Sequence, residues 1–92
     1  MTANVRVECN PDALGWLCSV DTGSSQHRVI VTQADLDELA PGAKDPTGLV
    51  TESFSFLLER EPASAILREF GLADIERYFP GYRVVIRDRL AR

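Results

Sequence analysis

Apolar and polar residues alternate through the first third of the chain, and this period of two constrains the fold more than any other feature. Three alternating segments are separated by two turn-forming stretches, at residues 10–12 and 21–25. A period of two is typical of a β-strand that buries one face. Because such short connections join antiparallel neighbours, the sequence predicts a three-stranded antiparallel meander over residues 4–32.

The alternation also predicts which residues share a face of the sheet. Pairing Cys9 with Trp16 and Val20 with His27 gives an inner face that is almost wholly apolar and must be covered: Val5, Val7, Cys9, Trp16, Cys18, Val20, His27, Val29 and Val31. The outer face is mostly polar: Arg6, Glu8, Ser19, Asp21, Arg28 and Thr32. It also carries an aliphatic pair, Leu17 and Ile30, which we interpret as a contact patch for a partner or a second copy.

The period becomes helical after Thr32, which is a favourable N-cap for a first short helix. Asp45 is the expected N-cap of a second helix, with proline at its first position. Apolar spacing and prolines predict further helices over residues 62–70 and 72–79. The segment 82–92 is rich in β-formers at its start and is expected to be a strand or an extension.

Together these patterns predict a single α+β domain over residues 1–92, in two layers. Its strands occupy residues 4–32, three or four short helices occupy residues 33–79, and a basic C-terminal extension occupies residues 82–92. With 45 % hydrophobic and 26 % charged residues, the composition is that of an ordinary globular domain.

The charge distribution is polarised along the chain, although the net charge is only −4. Residues 35–61 are strongly acidic, whereas the last ten residues are basic. This basic end is either a solvated terminus or a docking site for an anion, an acidic partner or nucleic acid. On the second interpretation, the candidate contacts are Arg83, Arg87 and Arg89. The negative net charge disfavours nucleic acid as a partner, because phosphate neutralisation needs a basic surface.

Compartment is predicted from the N-terminal residues and from the two cysteines. No apolar run reaches the roughly 20 residues of a membrane span, and no signal peptide is visible, so we expect a cytoplasmic protein with no membrane partner. In a cytoplasm Cys9 and Cys18 should stay reduced, and we interpret them as small buried apolar residues.

Residues that would support catalysis are scarce. His27 is the only histidine, and its place on an apolar strand face favours a structural role. The sequence has no metal-binding motif, nucleophile elbow or phosphate-binding loop. We therefore predict a non-enzymatic protein without a cofactor.

Two resemblances bear on function. A strand at residues 27–32, a short helix at 33–39 and a longer helix at 46–61 resemble the order of a ribbon-helix-helix unit. That family pairs one strand from each of two chains and inserts the ribbon into the DNA major groove. The resemblance implies a DNA-binding regulator or antitoxin, the alternative function.

The second resemblance is to a block found in small bacterial proteins with no assigned activity. It comprises the Ser-Phe-Ser-Phe-Leu-Leu-Glu-Arg-Glu-Pro run at residues 53–62 and Arg-Tyr-Phe-Pro at residues 77–80. It implies a bacterial protein and no catalytic residues. The leading hypothesis is a protein–protein interaction or regulatory module, whose partner is an unidentified protein or a second copy in a homodimer.

Overall fold

Three consecutive strands form the antiparallel meander that the alternation predicts. The computed structural model describes residues 5–91, so the predicted strand position 4 lies outside the described residues. The strands are β1 (Arg6–Asp12), β2 (Gly15–Asp21) and β3 (Gln26–Thr32). β2 lies between the other two and is antiparallel to both.

The predicted inner face of the sheet is confirmed. Cys18, Val20, His27, Val29 and Val31 are buried, and Val5, Val7, Cys9 and Trp16 are partly buried against the same core. The register pairs Val20 with His27, as expected. The alternation of side chains along each strand is enough to produce this division between the faces.

The first hairpin turns later in the chain than the sequence predicts. β1 continues through residues 10–12, and the turn lies between Asp12 and Gly15. Cys9 of β1 therefore pairs with the residue of β2 that lies two positions after Trp16. A shift of two positions leaves every side chain on its predicted face, because the faces alternate with period two.

The corrected register brings Cys9 directly opposite Cys18, and the two form a disulfide between β1 and β2. Their Cα atoms are 4.0 Å apart, close to the roughly 4.5 Å of a non-hydrogen-bonded cross-strand pair. The prediction that both remain reduced thiols is wrong. It followed from the expected cytoplasmic compartment, and the expected pairing of Cys9 with Trp16 gave no reason to bring the two cysteines together. The predicted cytoplasmic location stays a prediction.

The first two helices begin at or beside their predicted positions. Thr32 is the N-cap of α1 (Gln33–Leu39), where its hydroxyl accepts from the Asp35 backbone N–H. The Asp35 carboxylate accepts from the Thr32 N–H in return, which completes a capping box. The second helix, α2 (Thr47–Leu58), begins one residue after the expected first position at Pro46.

A fourth strand, β4 (Glu69–Gly71), stands where the sequence predicts a helix over residues 62–70. It runs parallel to β3 and extends the sheet to the order β1-β2-β3-β4. Before it, only a short 3₁₀ turn forms, Ala63–Ala65. The Arg28 N–H donates to the Arg68 carbonyl at 2.6 Å. This pairing with a distant strand keeps the segment extended. The spacing of apolar residues within the segment does not indicate the pairing.

The C-terminal segment is a helix rather than a strand or an extension. The remaining helical elements are a 3₁₀ turn, Leu72–Asp74, and the helices α3 (Ile75–Tyr78) and α4 (Tyr82–Ala91). Tyr82 and Ile86 are buried one helical turn apart, and the Tyr82 hydroxyl lies 2.6 Å from the Ser53 Oγ of α2. Packing against α2 outweighs the β-propensity of this stretch.

The helices cover the inner face of the sheet, so the molecule is a two-layer α+β fold. The apolar side chains that they bury beneath them are Leu36, Leu39, Leu49, Val50, Phe54, Phe56, Leu57, Ile66, Leu72, Ile75, Tyr82 and Ile86. Within the described part of the chain, no helix is long and apolar enough to cross a membrane.

The cross-strand disulfide should stabilise the meander by restricting the unfolded chain. Reducing it, or replacing both residues in Cys9→Ala/Cys18→Ala, should lower the free energy of unfolding by about 2–3 kcal/mol. Urea denaturation with and without dithiothreitol measures the loss, and thiol titration confirms the reduction. The double variant is the control and should not respond to dithiothreitol. An unchanged wild-type midpoint after complete reduction would contradict the prediction.

Candidate functional site

The outer face of the sheet is open. In the described strands, every second side chain points away from the helical layer, and most of these are exposed, among them Arg6, Glu8, Asn10, Leu17, Ser19, Gln26, Arg28, Ile30 and Glu69. The sheet therefore has one covered face and one face in contact with solvent. The alternation predicts most of these positions in β1, β2 and β3. Asn10 was missed because it was predicted to lie in the turn, and Glu69 was missed because its segment was predicted as a helix.

An aliphatic pair lies near the middle of this open face. Leu17 of β2 and Ile30 of β3 are direct cross-strand partners, and they are 36 % and 48 % exposed. Their neighbours in the same row are Asn10 on β1 and Gly71 on β4. Covering two adjacent aliphatic side chains is favourable, because it removes apolar surface from water. The structure thus brings the two predicted contact residues together.

A row of polar and charged side chains runs across all four strands beside this pair. The register places Glu8, Ser19, Arg28 and Glu69 in successive strands. Arg28 and Glu69 approach to 3.9 Å, and both side chains are largely exposed. An exposed pair of this kind contributes little to stability. Arg28 and Glu69 can therefore give up their mutual ion pair and form ion pairs with a partner protein instead.

The charged row forms part of an open groove of about 640 Å³ at this end of the sheet. Three arginines and three carboxylates line it: Arg6, Arg28, Arg68, Glu8, Asp21 and Glu69. The balance of charges does not suit an anionic polymer, which needs an excess of basic groups. It suits the mixed charges of a protein surface.

The predicted basic contacts lie on α4, in the helical layer, away from the open sheet face. Arg83 pairs with Glu38, and Arg89 pairs with Glu59 at 2.7 Å. Both arginines are therefore engaged with the acidic middle of the chain. Arg87 is exposed and lines a groove beside α4. That these three residues contact a partner remains a prediction.

The pairing of Arg89 shows how the basic end of the chain is used within the fold. Its guanidinium donates to Glu59 and lowers the pKa of that carboxyl below its ordinary value. Glu52 lies on its other side at 4.0 Å. The polarity seen along the sequence thus becomes a set of ion pairs between α4 and the end of α2.

His27 links two distant segments through both ring nitrogens. Nδ1 donates to the Leu67 carbonyl at 2.7 Å, and Nε2 accepts from the Ser25 hydroxyl at 2.7 Å. Nδ1 must be the donor because a carbonyl oxygen can only accept, and in a neutral imidazole the other nitrogen, Nε2, is then the acceptor. The ring also packs on Phe54, with centroids 5.3 Å apart. His27 therefore anchors the turn after β2 to the segment that leads into β4.

The Ser25–His27–carbonyl order resembles the arrangement of a nucleophile, a base and an orienting group. The ring, however, is only 4 % exposed. The Ser25 hydroxyl lies 2.7 Å from the Thr22 Oγ1 as well, and so takes part in closing the turn. We assign these residues a structural role. In the part of the chain that the structure describes, no group of three His, Cys, Asp or Glu side chains could hold a metal ion.

Glu76 caps α4 from the preceding helix. Its Oε1 accepts from the Gly81 N–H and its Oε2 from the Arg83 N–H, each at 2.9 Å. These hydrogen bonds, the one from Gly81 first, lower the pKa of the Glu76 carboxyl. A carboxylate at a helix N-terminus satisfies unpaired N–H groups and interacts favourably with the helix dipole. The position of α4 on the surface therefore depends on Glu76.

Loss of the imidazole should destabilise the protein. His27→Ala removes the donor of a part-buried hydrogen bond to the Leu67 carbonyl and also the ring that packs on Phe54, which should lower the free energy of unfolding by about 1–3 kcal/mol. His27→Asn keeps an N–H near the position of Nδ1 and should lose less. Urea denaturation measures both variants. Equal losses for the alanine and asparagine variants would contradict the role given to this hydrogen bond.

Glu76 should make stability depend on pH in the acid range. Its pKa is lower in the folded protein than the ordinary value of 4.5, so its contribution is complete above that value and is lost as pH falls below it. Glu76→Gln should lower Tm at pH 7, and the difference from wild type should shrink toward pH 3. Glu61→Gln is the matched control. A difference in Tm for Glu76→Gln that stays constant with pH would contradict the prediction.

Comparison with known proteins returned no match: no family model matches the chain, and neither a curated protein nor a solved structure does.

Proposed function

We propose that the chain is a non-enzymatic protein–protein interaction module whose partner binds the open outer face of the sheet. The observation that carries the proposal is the exposed pair Leu17–Ile30 beside the charged row Glu8, Ser19, Arg28 and Glu69. An apolar centre with polar and charged groups beside it is the general anatomy of a protein interface. A regulatory role through such binding, in a bacterial cell, is part of the proposal.

The edges of the sheet are less suited to binding than its face. β1, at one edge, contains Pro11, which lacks the N–H that an added strand would need. Its exposed Arg6 and Glu8 also disfavour edge-to-edge pairing. β4, at the other edge, has only three residues, Glu69–Gly71. A partner thus has more to gain from the face than from adding a strand.

The alternative of a ribbon-helix-helix regulator gains no support from the fold. Such a protein pairs a strand with the same strand of a second chain. β3, the strand in the corresponding position, is hydrogen-bonded to β2 on one side and to β4 on the other. No edge of β3 is left for a second chain. Its outward charges, Arg28 beside Glu69, are balanced as well.

Affinity capture from the native cell, followed by mass spectrometry, tests the proposal. Ile30→Asp places a charge at the centre of the outer face and should reduce recovery of the bound protein by about tenfold or more, because central interface residues dominate binding energy. Leu17→Asp should act in the same way. Neither change reaches the core, so circular dichroism and Tm should stay close to those of the wild type.

Leu14→Asp is the matched control for this experiment. Leu14 is an exposed leucine at the tip of the first hairpin, outside the proposed contact patch. This variant should recover the same protein as wild type. Recovery that is lost with Leu14→Asp but kept with Ile30→Asp would place the binding surface elsewhere. Recovery of no protein above background by the wild type would remove the proposal.

A further inference from the structure

α4 presents an exposed stripe to solvent on the side opposite its buried residues. The stripe consists of Val84, Arg87, Asp88 and Ala91, which are all exposed. Their spacing of three and four residues places them on one helix face. Val84 is 73 % exposed, more than either Leu17 or Ile30. One exposed valine is ordinary on a protein surface, so the case for a contact surface depends on what lies beside it.

An apolar groove of about 760 Å³ runs beside the stripe. One wall is α4, with Val84 and Leu90, and the other is the connection from α1 to α2, with Ala40, Pro41 and Ala43. The small side chains of the second wall would let another helix approach closely. The groove therefore has room for an element that lies along α4.

The order of residues in the stripe is self-complementary under a two-fold rotation. Suppose that the α4 helices of two copies lie antiparallel and that the two-fold axis passes between residues 87 and 88. Arg87 of each copy then faces Asp88 of the other. The same rotation places Val84 of each copy beside Ala91 of the other. A two-fold interface requires one patch to complement itself in this way. The charges and the apolar residues of the stripe satisfy the requirement together.

Of the three arginines at residues 83, 87 and 89 of α4, Arg87 is the one available for this contact. Arg83 and Arg89 are paired with glutamates of their own chain. Arg87 has no hydrogen bond or ion pair to any described residue. Asp88 already has an interaction partner, but a carboxylate has two oxygens and accepts from more than one donor.

We propose that the chain forms a homodimer in which the α4 helices of two copies pack antiparallel, each in the groove beside the other. The contact is short, because α4 has ten residues and is about 15 Å long. The dimer is therefore of modest affinity, and its orientation depends on the paired charges. Because α4 belongs to the helical layer, both outer sheet faces remain open. This inference does not rest on the proposed function.

Charge reversal tests the geometry directly. Sedimentation equilibrium of wild type, across a concentration series that reaches the millimolar range, should show reversible dimerisation. Arg87→Asp makes both facing groups acidic and should weaken the dimer at least about tenfold. Asp88→Arg makes both basic and should do the same. An equimolar mixture of the two variants should form a heterodimer, and the double variant R87D/D88R should recover the dimer.

The control is Arg77→Asp, the same change of charge at an exposed arginine on α3 that lies outside the stripe. It should dimerise like wild type. A wild type that stays monomeric throughout the series would overturn the proposal. A dimer that Arg87→Asp leaves intact would also overturn the proposal. A dimer that is lost only in Leu17→Asp would place the interface on the sheet instead of on α4. Circular dichroism confirms folding, and restoration in the mixture excludes misfolding as the cause.

Discussion

The apolar inner face of the sheet is the constraint on which the rest of the structure depends. Removing such surface from water stabilises a fold by about 25 cal/mol per Å², so a sheet of this composition does not stand uncovered. α2 supplies the largest share of the cover, with Phe54 and Phe56 buried. Tyr82 then packs edge-on against Phe56 at 5.3 Å between ring centroids. Its aromatic ring joins α4 to the same core, which explains why a segment of β-forming residues becomes helical.

The parts of the fold that depend on local pattern could be predicted from the sequence. Strand alternation defined both faces, and Thr32 marked the first helix start. An error of two positions in the first hairpin did not change the faces, because the side chains alternate. The same error concealed the disulfide, since only the correct register places Cys9 opposite Cys18. The sheet face on which a side chain lies is thus easier to predict than the residue opposite it on the next strand.

The parts that depend on distant partners could not be predicted. β4 is extended because its segment bonds to β3, through Arg68 and through the Leu67 carbonyl that accepts from His27. Nothing within residues 62–70 marks those bonds. The same limit applies to the candidate site. Leu17 and Ile30 were found from alternation, whereas the contribution of Glu69 required a strand whose partner lies some forty residues away.

The charge polarity of the sequence has a different meaning once the chain is folded. A basic end and an acidic middle suggest long-range attraction of a partner, yet Arg83 and Arg89 neutralise glutamates of the same molecule. The outer sheet face balances arginines against carboxylates in the same way. Balanced surfaces exert little force beyond the screening length of about 8 Å at physiological salt. For the two contact surfaces proposed above, binding would therefore depend on direct contact: on the fit of a small apolar centre, and on charges placed in a definite order around it.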